Sequence, residues 1–169
     1  SDMWQSRVDT NQMLSRAVKL LSIKPRVICS SGISFYAESS CDEPKTEEDL
    51  KGDGYLTNLN IAIEDAARLI SDDVIILRFG VVLSREGGAL QKLFWPYYFG
   101  LGGPIMSGNQ CFSWVHIKDL VRSIHFLIER PESKGVYNVT SPEPVPQKIF
   151  GKALAKALRR PFLVPVWEW

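Results

Sequence analysis

The sequence predicts an α/β protein in which helices pack on a parallel sheet, and two kinds of observation carry that expectation. Apolar residues recur at helical spacing in several stretches, and between them stand short Val- and Ile-rich runs that close on glycine-containing loops. A strand, a helix and a second strand in that order call for parallel pairing with the helix on the sheet face. The 169 residues are 45% apolar and 23% charged. That is enough for one hydrophobic core and too little for two full domains.

Each element follows from its local pattern. Residues 9–21 put Met13, Leu14, Ala17, Val18 and Leu21 on one helical face, and Lys24-Pro25 ends the pattern. Arg26-Val27-Ile28-Cys29 is a buried strand emptying into Ser30-Ser31-Gly32. Residues 38–54 are acidic and polar, with Pro44, Gly52 and Gly54, and read as loop. Helical spacing returns over 55–70 through Leu59, Ile63, Ala66, Ala67 and Ile70. Val74-Ile75-Ile76-Leu77 is the second strand, ending at Arg78-Phe79-Gly80. A helix over 89–99 leads to a rigid glycine-dense connection, residues 100–104, and then to a polar and aromatic segment, 107–116. Residues 119–129 form an amphipathic helix stopped by Pro131, 135–139 a strand, and 146–158 a last helix. Trp167-Glu168-Trp169 begins a fresh apolar segment.

Charge and cysteine content narrow the function classes. Lys and Arg number 20 against 19 Asp and Glu, a net charge of +1, far from the basic excess of a protein that neutralises many phosphates. Neither nucleic acid nor a membrane is an expected partner, since no apolar run approaches the roughly 18 residues that cross a bilayer. The stretch 1–10 lacks the apolar core of a signal peptide. Cys29, Cys41 and Cys111 are odd in number and form no CxxC pair, so neither a disulfide framework nor a zinc site is expected. A reducing compartment suits them, the cytoplasm or alternatively the mitochondrion.

A nucleotide-binding doubly wound sheet opens with a strand, a GxGxxG turn and a helix, because backbone N–H groups at that helix start hold the pyrophosphate. Here the first element is a helix. The only glycine-dense loop, 100–103, follows a helix and precedes Pro104, and therefore reads as a tight connection. The chain is expected to be a central portion of a longer protein, incomplete at both ends.

Arg7-Val8-x-Thr10, Ser30-Ser31-Gly32-Ile33-Ser34-Phe35-Tyr36, Arg78-Phe79-Gly80-Val81-Val82-Leu83 and Gly87-Gly88-Ala89-Leu90 together resemble the extended short-chain dehydrogenase/reductases. Gly100-Leu101-Gly102-Gly103-Pro104-Ile105, Ser113-Trp114-Val115-His116-Ile117-Lys118-Asp119-Leu120 and Gly135-Val136-Tyr137-Asn138-Val139 continue the likeness from about Arg7 to Val166. The nearest pattern is the epimerase-family, nucleotide-sugar-epimerase-like subgroup. The resemblance implies a Rossmann-like parallel sheet with flanking helices, plus a small mixed substrate lobe. Residues 1–86 would be the C-terminal part of the dinucleotide-binding domain. Residues 87–169 would be substrate-lobe segments with a helix and strand returning to it. The implied cofactor is NADP or NAD, and the implied activity is that of an oxidoreductase or epimerase on a nucleotide sugar or similar hydroxylated small molecule.

In the wider family the chemistry rests on a Ser, a Tyr and a Lys four residues after the Tyr. A phenol with an ordinary pKa near 10 needs a neighbouring ammonium before it can accept a hydroxyl proton. Ser31 matches the serine and Tyr55 the tyrosine, whereas Leu59 stands where the lysine would be. The subgroup shares this loss. The catalytic candidates are thus Ser31 and Tyr55, and the cofactor-binding candidates Ser30, Tyr55, Arg78, Gly80 and Val81. Gln110 and Trp114 are the substrate candidates, and no metal site is expected. Tyr36 reads as a loop anchor or second proton carrier, Asp119 as a helix-start residue, and His125 as structural. Phe94, Trp95, Tyr97, Tyr98 and Phe99 read as core packing rather than a stacking platform. The competing expectation is a catalytically silent dinucleotide-binding or assembly protein. Relatives of this type pair through the two helices at 9–21 and 55–70, which implies a homodimer or a larger complex.

Overall fold

The computed structural model describes residues 2–22, 25–38 and 40–165. The expected helix stop at Lys24 and the apolar segment at Trp167 lie outside the described residues. In chain order the elements are α1 (Asp2–Val18), β1 (Val27–Gly32), a 3-10 turn (Ile33–Phe35), α2 (Tyr55–Arg68), β2 (Val74–Phe79), β3 (Val81–Leu83), α3 (Gly88–Tyr98), β4 (Cys111–Phe112), β5 (Trp114–His116), α4 (Ile117–Ile128), β6 (Gly135–Val139), β7 (Val145–Pro146) and α5 (Gln147–Ala157). They fall into two compact units. One comprises Ser1–Glu38, Lys45–Phe79 and Ser123–Val139, the other Ser39–Pro44, Gly80–Arg122 and Thr140–Trp169.

The first unit is a three-stranded parallel sheet in the order β1-β2-β6. β2 is central, and its Ile75, Ile76 and Leu77 are at most 1% exposed, as an uninterrupted apolar run requires of a strand covered on both faces. β1 alternates instead, with Cys29 and Ser31 buried and Ser30 exposed. Cys29 packs with Leu59, Ile63 and Ala67 of α2, and Trp4 and Val74 lie against that cluster. α1 lies beside α2, tied by Asn11 Nδ2 donating to the Ile63 carbonyl at 3.4 Å and Ser15 Oγ to that of Leu69 at 2.8 Å. It starts at Asp2, well before residue 9, and the added stretch carries Trp4 and Val8 four residues apart. At the far end of the sheet Arg26 pairs with Asp73 at 3.0 Å and donates to the carbonyls of Leu127, Arg130 and Pro131. These include the backbone acceptors that the end of α4 leaves without helical partners.

The second unit holds two small ladders, β3 parallel to β5 and β4 antiparallel to β7. The segment 107–116, read from the sequence as polar and aromatic, supplies two of these strands. Each strand is two or three residues long, too short for an alternation to show. Gly80 leads into β3. A Cβ there would lie 2.9 Å from the Ser113 carbonyl oxygen and 3.1 Å from Thr140 Cγ2, so the residue must be glycine for the chain to pass.

Two expectations are corrected in this unit. Cys41 and Cys111 are joined as a disulfide across 70 residues of sequence, with Cα atoms 5.1 Å apart. An odd cysteine count says nothing about which two thiols the fold brings together, and Cys29 is the one left free, buried under α2. The aromatic run of α3 is not uniformly core. Tyr97 is buried, packing on Phe162 and beside Gly151 of α5, whereas Trp95, Tyr98 and Phe99 are exposed. Only one face of α3 meets α5, and the run is longer than that face. In the first unit, His125, expected to be structural, stands 71% exposed with Nδ1 3.4 Å from Glu129 Oε2.

Candidate functional site

Burying a charge is costly unless it is paired and fully hydrogen-bonded, and the first unit buries two. Glu64 of α2 is 0% exposed and Arg78 of β2 is 3% exposed. The Arg78 fork donates from Nε to Glu64 Oε1 at 2.8 Å and from Nη2 to Oε2 at 2.9 Å, the bidentate arrangement that makes such a pair strong. Its Nη1 donates to the Tyr36 hydroxyl at 2.7 Å. The guanidinium carbon lies 3.4 Å from the centroid of the Phe35 ring. Ser31 Oγ donates to Glu64 Oε1 at 2.8 Å, and Arg68 reaches Oε2 at 3.3 Å. The Tyr36 hydroxyl donates to Asn138 Oδ1 at 2.8 Å. Asn138 in turn donates from its backbone N–H to Glu47 at 2.6 Å and from Nδ2 to the Lys45 carbonyl at 3.3 Å.

Electrostatics follow from this geometry. Burial works against the charge on Arg78, but its bonds to Glu64 and Tyr36 outweigh it, so the guanidinium is held above its ordinary pKa. Burial, aided by the nearby Glu64, pushes the Cys29 thiol up, and Arg68 opposes this weakly. A buried thiol kept in its neutral form is a poor nucleophile.

The register sets Ser31 opposite Arg78 and Gly32 opposite Phe79, so the carboxyl ends of β1 and β2 lie side by side. Open α/β sheets bind ligands outside such strand ends. Of the expected residues there, Ser30 is exposed, while Ser31 is 9% exposed with its hydroxyl committed to Glu64. Ser30 also lines a cleft of about 280 Å³ between α1 and β1, together with Arg7, Thr10, Asn11, Leu14 and Val27. Tyr55 opens α2, is 50% exposed, and has its ring 6.2 Å from that of Trp4. Leu59, one helical turn on, is 4% exposed and belongs to the core. No ammonium stands at that turn.

In the second unit, Val81 is half-buried and pairs with Trp114, its N–H donating to the Ser113 carbonyl at 2.9 Å. Gln110 is exposed, with Nε2 on the Ile105 carbonyl at 3.0 Å. His116 Nδ1 accepts the Lys118 N–H, and Asp119 lies in the first turn of α4 beside Arg122. Among the described residues no three His, Cys, Asp or Glu side chains gather as a metal site, and no helix is long and apolar enough to cross a membrane.

Sequence reasoning did not find Glu64 or Asn138. Their signal was indirect. An arginine between Leu77 and Phe79 of a buried strand demands a buried partner, and Glu64, set among Ile63, Ala66 and Ala67, is the carboxylate that an apolar helix face offers.

A parallel sheet with helices against it, ending in adjacent strand termini, is the architecture of the Rossmann-like dinucleotide-binding proteins. The comparisons make that narrower. The mouse epimerase family protein SDR39U1 is 36% identical over 167 residues, which is 95% of this chain and 56% of that protein. Epimerase family protein SAR0825 of Staphylococcus aureus is 35% identical over 161 residues, 92% of this chain and 53% of that protein. The crystal structure of human SDR39U1 with NADPH superposes with a TM-score of 0.89 at 34% identity, covering 96% of this chain and 56% of that one. A nucleoside-diphosphate sugar epimerase from Corynebacterium glutamicum gives 0.80 at 29% identity, over 98% and 37%. No protein-family model matches the chain. The chain is thus similar over nearly all of its length to proteins named as epimerase family members, and it spans about half the length of the curated relatives it matches.

Proposed function

We propose that this chain is part of an NADP(H)- or NAD(H)-dependent oxidoreductase or epimerase acting on a nucleotide sugar or a similar hydroxylated small molecule. The observation that carries the reading is the pair of adjacent strand ends, Ser31-Gly32 and Arg78-Phe79, in a fold shared at a TM-score of 0.89 with a protein crystallised with NADPH. When bound, the cofactor supplies the hydride. In this reading Ser30, Tyr55, Gly80 and Val81 meet it. Arg78 serves through Glu64 and Tyr36, because its guanidinium is already held by both.

Tyr55 is the proton partner for the reacting hydroxyl and Ser31 the group that holds its oxygen. For Ser31 to do so, its bond to Glu64 must open or be shared. Gln110 and Trp114 contact the substrate. The exposed Met13 and Leu14 of α1 and Leu56 of α2 support pairing of two copies through these helices, or their burial in a larger complex. Compartment is proposed as cytoplasmic or mitochondrial.

The buried Leu59 supports the second reading, a silent dinucleotide-binding or assembly protein, since an apolar core residue stands where the wider family's lysine would be. The test is Tyr55→Phe in the complete protein, assayed for hydride transfer against a panel of nucleotide sugars. Loss of at least about tenfold in turnover with cofactor affinity kept supports the enzyme. Unchanged turnover removes Tyr55 from the mechanism, and no turnover in either form with NADPH still bound supports the silent reading.

A further inference from the structure

The Cys41–Cys111 bridge joins a loop of otherwise local bonding to a two-residue strand. Within residues 40–44 the hydrogen bonds are short-range, Asp42 N–H to Ser40 Oγ at 3.0 Å and Glu43 N–H to the Ser40 carbonyl at 3.2 Å. Ser40, Asp42, Glu43 and Pro44 are exposed, and the two bridged cysteines are half-buried. Four residues beyond Cys41 the chain becomes structural again. The Lys45 carbonyl and the Glu47 carboxylate hold Asn138, which holds the Tyr36 hydroxyl and through it Arg78.

We propose that Cys41 and Cys111 form a reversible thiol–disulfide site whose reduction frees residues 40–44 from β4 and loosens the Lys45 and Glu47 hold on Asn138. The reductant is a dithiol. One of its thiolates attacks a bridge sulfur, forming a mixed disulfide and releasing the other cysteine as a thiolate, which takes up a proton. The second thiol of the reductant then displaces the remaining cysteine. Two electrons and two protons pass to the protein, which ends with two thiols, and the dithiol ends as a cyclic disulfide. Cys29 does not compete, because it lies buried under α2 with its thiol held neutral.

The test uses the complete protein, kept oxidised or treated with dithiothreitol, then denatured and labelled with a maleimide for intact-mass measurement, with hydrogen exchange followed in parallel on native samples. In the region of this chain, the oxidised protein is expected to take one label, on Cys29, and the reduced protein three. On reduction, exchange of the peptide covering residues 40–47 and of the Asn138 amide should rise on the order of tenfold, and fall back after reoxidation. Cys41→Ser should exchange like the reduced protein and respond no further to dithiothreitol. Three labels without reductant, a bridge whose reduction leaves exchange over 40–47 unchanged, or a failure to reoxidise would each overturn the proposal.

Discussion

Glu64 and Arg78 stand 14 residues apart in sequence and meet as a two-pronged ion pair with side chains 1% and 4% exposed. Four groups of the first unit converge on it: Ser31 and Arg68 at the carboxylate, Tyr36 and the Phe35 ring at the guanidinium. Such a pair is weak evidence of net stabilisation compared with an apolar replacement of both partners, but breaking it strands a buried charge. Arg78→Ala should therefore lower unfolding free energy by about 3 to 5 kcal/mol, read by urea denaturation. A change below about 1 kcal/mol would mean that Glu64 is not held as an uncompensated carboxylate.

Tyr36→Phe keeps the ring against Phe35 and removes the hydroxyl that stands between Arg78 and Asn138. Both neighbours then lose a partner in a half-dry setting. The expected cost is about 1 to 3 kcal/mol, and a double-mutant cycle with Asn138→Ala should show strong coupling. Additive losses would place the two side chains in separate networks.

Gly80→Ala presses a methyl group against the Ser113 carbonyl oxygen at 2.9 Å. That oxygen also accepts the Val81 N–H at 2.9 Å, so it cannot retreat freely. Destabilisation of about 1 to 3 kcal/mol is expected, measured by thermal unfolding. An unchanged or raised midpoint would show that this crossing has room.

The alkaline limb of the stability curve should depend on Tyr97. Burial raises its phenol above the ordinary value of 10.0, while the unfolded chain titrates at that value. Above about pH 10 the unfolded state loses this proton first. The stabilisation is therefore complete below that pH and is lost as pH rises towards the native pKa. Tyr97→Phe should leave stability at neutral pH nearly unchanged, since the hydroxyl makes only a 3.4 Å contact with the Gly103 carbonyl, and should flatten the alkaline limb. Parallel curves for the two proteins would contradict this.

The parts of the fold that were legible are those whose own residues decide them. Ile75, Ile76 and Leu77 make a buried strand wherever the chain places them, and Leu59, Ile63 and Ala67 mark one face of α2. The pairings of β3 with β5 and β4 with β7 were not legible, because a strand of two or three residues exists only through its partner. The same holds for Cys41 and Cys111, whose proximity is set 70 residues apart. At the candidate site the sequence indicated Ser31, Tyr55 and Arg78 by position. It could not indicate that Ser31 and Arg78 both turn towards Glu64, because that contact depends on how α2 lies against β1 and β2.

The adjacent ends of β1 and β2 are proposed to face a bound dinucleotide. Titrating the complete protein with NADPH while following nicotinamide fluorescence tests this most directly. A saturable enhancement at micromolar cofactor is expected, weakened by replacing the exposed Ser30 with a bulky residue. No saturable signal up to millimolar NADPH or NADH would contradict it.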